Sequence, residues 1–269
     1  MKKTILLTGA TDGIGLETAK LLVEQGHDVL IHGRSQDKLD AVESMLKGLS
    51  GAGLVESYIA DLSKLSDVKA FAEKVTDKHS KLDVLINNAG VLKAPQTVTE
   101  DGLDLRFAVN TVAPYLLTKT LLPILSSEGR VVNLSSAAQS PVNIDALLGK
   151  AKLTDSMSAY AQSKLAITMW SRAMASANTD GPAIIAVNPG SLLASKMVKE
   201  GFGVAGNDLS IGADILVRAS LSDEFADASG KYFDNDSQSF ANPHSDALDN
   251  FKSATVLEAI ELVLEKVKH

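Results

Sequence analysis

Thr4-Ile5-Leu6-Leu7-Thr8-Gly9-Ala10-Thr11-Asp12-Gly13-Ile14-Gly15 decides how the chain is read. Thr4–Thr8 is a short apolar run, and Leu16–Glu24 after it has the spacing of an amphipathic helix. Between strand and helix, Gly9 permits a tight turn. Gly13 lets the main chain approach a pyrophosphate, and Gly15 lets the helix pack closely on the strand. The first turn of that helix offers free N–H groups and a partial positive charge to an anion. Gly9, Thr11, Asp12, Gly13, Ile14 and Gly15 are therefore the expected dinucleotide contacts of this loop. The spacing is Gly-x3-Gly-x-Gly rather than the more widespread Gly-x-Gly-x2-Gly, and glycines also punctuate strand-to-helix turns that bind nothing.

Outward from this turn the same unit repeats. Apolar runs recur at Asp28–His32, Leu54–Ile59, Leu82–Asn87, Arg130–Leu134 and Ala183–Val187, with a shorter one at Tyr232–Phe233. They are continuous rather than alternating, as in strands covered by helices on both faces. Helix-like stretches such as Val68–Lys78 lie between them, an apolar helix is expected from Leu103 to Leu125, and a last one over about 247–267. The pattern predicts a Rossmann-type α/β fold: a doubly wound parallel sheet of about seven strands in one domain spanning 1–269. Two segments resist it, 137–156 and 191–209, and both follow strand C-termini, where open α/β sheets bind ligands. The second carries Gly201, Gly203 and Gly206 with apolar neighbours, which predicts a lid over the site.

The second strand ends Ile31-His32-Gly33-Arg34-Ser35, with no acid to take an adenosine 2′-hydroxyl. Arg34 is suited to a 2′-phosphate, which favours NADP(H) over NAD(H). Asp12 adds negative charge to the glycine loop unless it turns outward to cap the helix.

Reducing a carbonyl by hydride requires a proton donor and a group that polarises the oxygen. Tyr160 and Lys164 stand at i and i+4, on one helix face, where an ammonium would favour the phenolate. Tyr115 and Lys119 have the same spacing. Tyr160 is preferred because it follows the fifth strand and its Ser135-Ser136 end, whereas Tyr115 lies in an apolar helix that reads as packing surface.

The composition narrows the alternatives. The 269 residues carry a formal charge of −7 with no basic cluster, which argues against nucleic acid or an anionic membrane as partner. With no cysteine, and five histidines lacking ligand spacing, no metal is expected. The apolar start is broken at Thr8-Gly9, short of the ~7–15 residues of a secretory core, and no run approaches the ~20 of a membrane span. A cytoplasmic location is expected.

Taken together these residues resemble the short-chain dehydrogenase/reductase family, and within it the retinol-dehydrogenase-like members. The likeness runs in order over about the first 190 residues. Thr8–Gly15 is similar to its cofactor loop, Asp61-Leu62 to its adenine contact, and Asn87-Asn88-Ala89-Gly90 to its signature after the fourth strand. Asn110 resembles its helix asparagine, whose main chain holds a water in a proton relay. Ser136, Tyr160 and Lys164 resemble its catalytic trio, with Ser135 as rival to Ser136, and Pro189-Gly190 its nicotinamide-side turn. The resemblance implies that the serine polarises a carbonyl, the tyrosine transfers the proton, and the lysine binds ribose and lowers the tyrosine pKa. It also implies a homodimer or homotetramer, paired through the helices near 102–127 and 157–177. Two features depart from the family. Ser136 and Tyr160 are 24 residues apart rather than about 13, and Ala194 stands where a threonine is common, with Ser191 and Ser195 nearby. Gly230-Lys231-Tyr232-Phe233 is a further mark of the retinol-dehydrogenase-like members. The implied activity is hydride transfer between a nicotinamide cofactor and a small carbonyl or alcohol; Arg34 makes the cofactor NADP(H), and the apolar loop residues Met157, Leu192, Leu193, Met197 and Phe202 suggest a hydrophobic substrate. A non-catalytic NADP-binding regulator and a nucleotide-sugar epimerase are the rivals; a serine hydrolase is disfavoured by the missing Gly-x-Ser-x-Gly.

Overall fold

The computed structural model describes residues 1–194, 203 and 206–267. The first half alternates β1 (Thr4–Leu7), α1 (Gly13–Glu24), β2 (Asp28–Gly33), α2 (Gln36–Lys47), β3 (Val55–Ile59), α3 (Leu65–Lys78) and β4 (Leu82–Asn87). After α4 (Leu105–Phe107) and α5 (Ala113–Leu121) come β5 (Leu125–Leu134), α6 (Ile144–Leu147), α7 (Ser156–Ala177) and β6 (Ala183–Asn188). The described residues close with α8 (Leu209–Leu221), β7 (Tyr232–Asp234), β8 (Ser239–Ala241), α9 (Ser245–Leu248) and α10 (Asn250–Val267).

The sheet runs β3-β2-β1-β4-β5-β6-β7-β8, parallel except for the last pair. Successive residues of one strand serve opposite cores. Ile5 and Leu7 face α1, α2 and α8, while Leu6 faces α3, α5, α7 and α10. Both faces are covered, so both residue sets must be apolar, which is why the runs do not alternate. Strand order reverses between β1 and β4, and the crevice this leaves lies at their C-terminal ends.

The structure adds an eighth strand to the expected seven. β8 returns antiparallel along β7, pairing Phe233 with Phe240, and Phe225, Phe233 and Phe240 pack with ring centroids 5.0–5.2 Å apart. It covers an otherwise open sheet edge. The expected helix from Leu103 to Leu125 is interrupted: α4 passes through a π-turn (Ala108–Val112) before α5 begins, and Asn110 sits in that turn. The expected last helix is two, because the Asp249 carboxylate accepts the N–H groups of Phe251 and Lys252 and starts α10 afresh.

Part of the apolar faces expected to meet a second copy is packed inside the chain: Leu103, Phe107, Leu117, Leu121, Ala166 and Trp170 are buried in the same core as Val256, Ile260 and Val263 of α10, whereas Ile124 and Ala173 are half-buried. Glu261 of α10 accepts hydrogen bonds from the Tyr115 hydroxyl and from Lys119 Nζ at 2.6 and 2.8 Å. Tyr115 also packs edge-on against Trp170, 5.5 Å between centroids. The second Tyr-x3-Lys pair is thus a fastening for the C-terminal helix.

Candidate active site

A cleft of about 570 Å³ opens at the strand-order reversal. It gathers Gly9, Thr11, Asp12, Gly13, Ile14, Gly15, Arg34, Asp61, Leu62, Asn88, Ala89, Gly90, Tyr160, Lys164 and Pro189. His32, Gly33, Ser35, Lys38, Ser63, Leu105 and Val109 line it as well, and sequence reading did not single these out for contact.

The glycine loop is held by its neighbours. Gly9 and Gly13 have φ of +68° and +56°, a region that favours glycine. A Cβ on Gly15 would stand 2.1 Å from the Gly9 carbonyl oxygen, so only glycine fits there. The Asp12 carboxylate turns back to accept the Gly13 N–H at 2.8 Å, capping α1. Thr8 Oγ1 accepts the N–H groups of Asn88 and Ala89, both at 3.1 Å, and Asn88 Nδ2 donates to the carbonyls of Thr8 and Gly9. Asn88 therefore fastens β4 to β1 across the reversal.

His32 is the residue the sequence reading passed over. Its Nδ1 accepts the Gly9 N–H at 3.2 Å, which places the ring proton on Nε2, 3.1 Å from the Ala60 carbonyl. The ring stacks on Phe71 at 4.9 Å, and burial lowers its pKa to about 4. A buried neutral imidazole thus ties the glycine loop to the end of β3.

Arg34 and Lys38 are exposed in the cleft beside Gly33 and Ser35, and neither has an ion-pair partner among the described residues. The Asp61 carboxylate is occupied in its own turn, accepting from the N–H and hydroxyl of Ser63. Two unpartnered cations beside a glycine-lined crevice and a helix N-terminus fit the phosphates of a dinucleotide.

At the other end, α7 projects Tyr160 and Lys164 into the cleft. Lys164 Nζ donates to the Leu134 carbonyl at 2.6 Å and lies 5.6 Å from the centroid of the half-buried Tyr160 ring. Burial lowers the Lys164 pKa to about 7 and raises the Tyr160 phenol above its usual range, an effect that a hydrogen bond with Ser136 partly offsets. Dehydration is the larger of the two effects on the phenol. Ser135 is buried, its hydroxyl bonded to Thr168 Oγ1 at 2.6 Å and to the Lys164 carbonyl at 3.1 Å, so Ser136 is the serine that faces Tyr160. The buried Asn110 side chain pairs with both the N–H and the carbonyl of Val91 and donates to Ser163 Oγ. Any part it takes in proton movement falls to its main chain.

The Pro189-Gly190 turn is held from β7: Asn235 Nδ2 donates to the Pro189 carbonyl at 2.9 Å. The Ser191 hydroxyl is bonded to Asp236, Ala194 is pinned through its N–H to the Asn207 carbonyl, and Ser195 lies outside the described residues. The lid expected over 191–209 falls largely on 195–202 and 204–205, also outside the described residues. Only its base is described, where Leu193 bridges Asn207.

This geometry coincides with what known proteins share with the chain. Residues 3–202 match the short chain dehydrogenase family. The chain belongs to the short-chain dehydrogenases. It is 31% identical to human retinol dehydrogenase 13 over 265 residues, covering 91% of this chain and 80% of that one. A solved structure from Mycobacterium paratuberculosis superposes with a TM-score of 0.81 at 28% identity, covering 98% of this chain and 93% of that one. A short-chain dehydrogenase from Shigella flexneri, solved with NADP, gives a TM-score of 0.68 at 26% identity over 87% and 96% of the two chains. As a short-chain dehydrogenase the protein is an oxidoreductase acting on the CH–OH group. No helix among the described residues is long and apolar enough to cross a membrane, and none of their acidic and histidine side chains cluster to hold a metal.

The buried histidine gives this short-chain dehydrogenase an acid sensitivity. Between about pH 6.5 and 4 the unfolded chain binds a proton at His32 that the folded chain refuses. The stability His32 contributes is therefore full above about pH 6.5 and lost as pH falls toward 4, a change of up to about 3 kcal/mol. In thermal melts at pH 7 and pH 5, His32→Gln is expected to lower the Tm at pH 7 and to flatten the fall between the two. Parallel wild-type and variant curves would contradict this.

Proposed function

We propose that this short-chain dehydrogenase is an NADP(H)-dependent carbonyl reductase or alcohol dehydrogenase with Tyr160 as its proton donor and acceptor. One observation carries the reading: Tyr160, hydrogen-bonded to Ser136, and Lys164 line one end of a cleft whose other end presents Arg34 and Lys38, neither ion-paired among the described residues. The nicotinamide, when bound, supplies or takes the hydride. The chain does the rest. The glycine loop with Asn88, Ala89 and Gly90 shapes the wall for the dinucleotide, Asp61 and Leu62 flank the adenine, and Arg34 with Lys38 takes the 2′-phosphate. Ser136 polarises the carbonyl oxygen. Tyr160 gives its proton to the developing alkoxide, or receives one in the oxidative direction. Lys164 keeps donors free beyond its bond to Leu134, suited to ribose hydroxyls.

The substrate we infer is hydrophobic. Retinol dehydrogenase 13 is named for an apolar alcohol, and Leu192 and Ile211 stand exposed beside the Pro189-Gly190 turn. A non-catalytic NADP-binding regulator would have no use for the Tyr160 arrangement. The cysteine-free composition accords with a cytoplasmic, single-domain enzyme. The homodimer or homotetramer that the resemblance implied finds its helices already covered by α10, so we propose that the chain does not pair through them.

Tyr160→Phe is expected to lower turnover at least 10²-fold with NADPH binding nearly unchanged, while Tyr115→Phe leaves turnover within about twofold of wild type. The reverse order in steady-state assays would overturn the site assignment. Arg34→Ala is expected to weaken NADPH binding roughly ten- to a hundredfold and to leave NADH binding almost as it was. Equal wild-type affinity for the two cofactors in a titration would rule out the 2′-phosphate role. Light scattering at micromolar concentration is expected to show a 28.3 kDa species, and a stable dimer would place an interface elsewhere on the surface.

A further inference from the structure

The Gly230-Lys231-Tyr232-Phe233 motif marks a likeness in sequence and has no part in the site described so far. In the structure it reaches the catalytic serine. Tyr232, on β7, is 5% exposed and donates its hydroxyl hydrogen to the Ser136 carbonyl at 3.2 Å. Gln139 Nε2 donates to the same carbonyl at 2.9 Å. The orientation of that amide is fixed independently: the His244 N–H, which can only donate, lies 3.0 Å from Gln139 Oε1. Both lone pairs of the Ser136 carbonyl are therefore filled, one from β7 and one through a side chain anchored to the segment after β8.

Two hydrogen bonds to one carbonyl fix its peptide plane, and the plane sets where the Cα–Cβ bond of Ser136 points. Ser136 Oγ accepts the Ala138 N–H at 3.1 Å, so its own hydrogen stays available as a donor. Burial keeps the Tyr232 phenol protonated, its pKa raised further by Asp234 and Asp236, so it acts as a donor throughout the working pH range. No sheet or helix hydrogen bond depends on the Tyr232 hydroxyl.

We propose that Tyr232 and Gln139 are positioning residues for catalysis, a two-donor clamp on the Ser136 carbonyl that aims the serine hydroxyl at Tyr160. The proposal rests on the reading of Ser136 as the group that polarises the substrate. A loosened clamp lets the hydroxyl swing from the place where the oxygen reacts, and misplacement of a catalytic group on the scale of 1 Å costs up to about a hundredfold in rate.

The test is a mutant cycle of Tyr232→Phe, Gln139→Leu and Ser136→Ala, read by kcat, NADPH dissociation constant, Tm and the pH profile of alcohol oxidation. Tyr232→Phe and Gln139→Leu are each expected to lower kcat about five- to twentyfold with NADPH affinity unchanged. Neither should slow Ser136→Ala further, because residues acting through one group are not additive. The oxidation profile should move to higher pH in both, since the Ser136 hydrogen bond holds the Tyr160 phenol down. Gln139→Leu carries the same test should Tyr232→Phe fold poorly. The clamp is overturned if both variants keep kcat within twofold of wild type, or if they slow Ser136→Ala as much as they slow wild type. A fully active Ser136→Ala would take down the catalytic reading of the serine and the clamp with it.

Discussion

Everything at the site depends on the reversal of strand order between β1 and β4. Chain entering from β1 leaves toward one face of the sheet and chain from β4 toward the other, so a crevice opens where no connection crosses. Such a gap would be filled by solvent and loosened by it unless its two walls were fastened. Thr8 and Asn88 supply the fastening, with four hydrogen bonds between the ends of the two strands. His32 adds a third strand to the same knot through its bonds with Gly9 and Ala60. The glycine loop is thereby held by hydrogen bonds from its neighbours, and a loop so held would lose less entropy on binding a ligand.

Burial then sets the chemistry. Lys164 is buried with one carbonyl partner, and that burial lowers its pKa to about 7. Tyr160 is pushed the other way. Each group is left closer to the uncharged form than it would be in water, so a nearby charge would change its protonation more than at an exposed site. The contrasting pair Tyr115 and Lys119 shows what the same spacing does without a cleft: both side chains close on one carboxylate, Glu261, and hold a helix in place.

The far wall is built from the C-terminal third of the described chain. β7 and its exit reach Ser136 through Tyr232, the Pro189-Gly190 turn through Asn235, and Ser191 through Asp236. The α10 helix meanwhile lies over α5 and α7, where it buries Trp170 and the apolar side of the helix that carries Tyr160. The helix bearing Tyr160 and Lys164 is thereby packed on both sides by the chain itself.

Much of this was legible in the residues. Continuous apolar runs separated by helical spacing fixed the parallel, doubly covered sheet, because a strand with two buried faces has no other way to read. The glycine spacing, Arg34, Tyr160 and Lys164 all line the cleft, since these are local patterns on single elements. Sequence alone could not show His32 pinning a loop, Gln139 and Tyr232 meeting on one carbonyl, the π-turn at Asn110, or α10 covering the helices expected to pair. Each of these joins residues far apart in the chain, and side-chain periodicity carries no record of which distant group a donor meets. The competing Tyr115–Lys119 pair, already separated from Tyr160–Lys164 by its place in the chain, owes its role to where the tertiary structure puts it: against a carboxylate on the surface, whereas Lys164 is buried at a cleft where burial lowers its pKa.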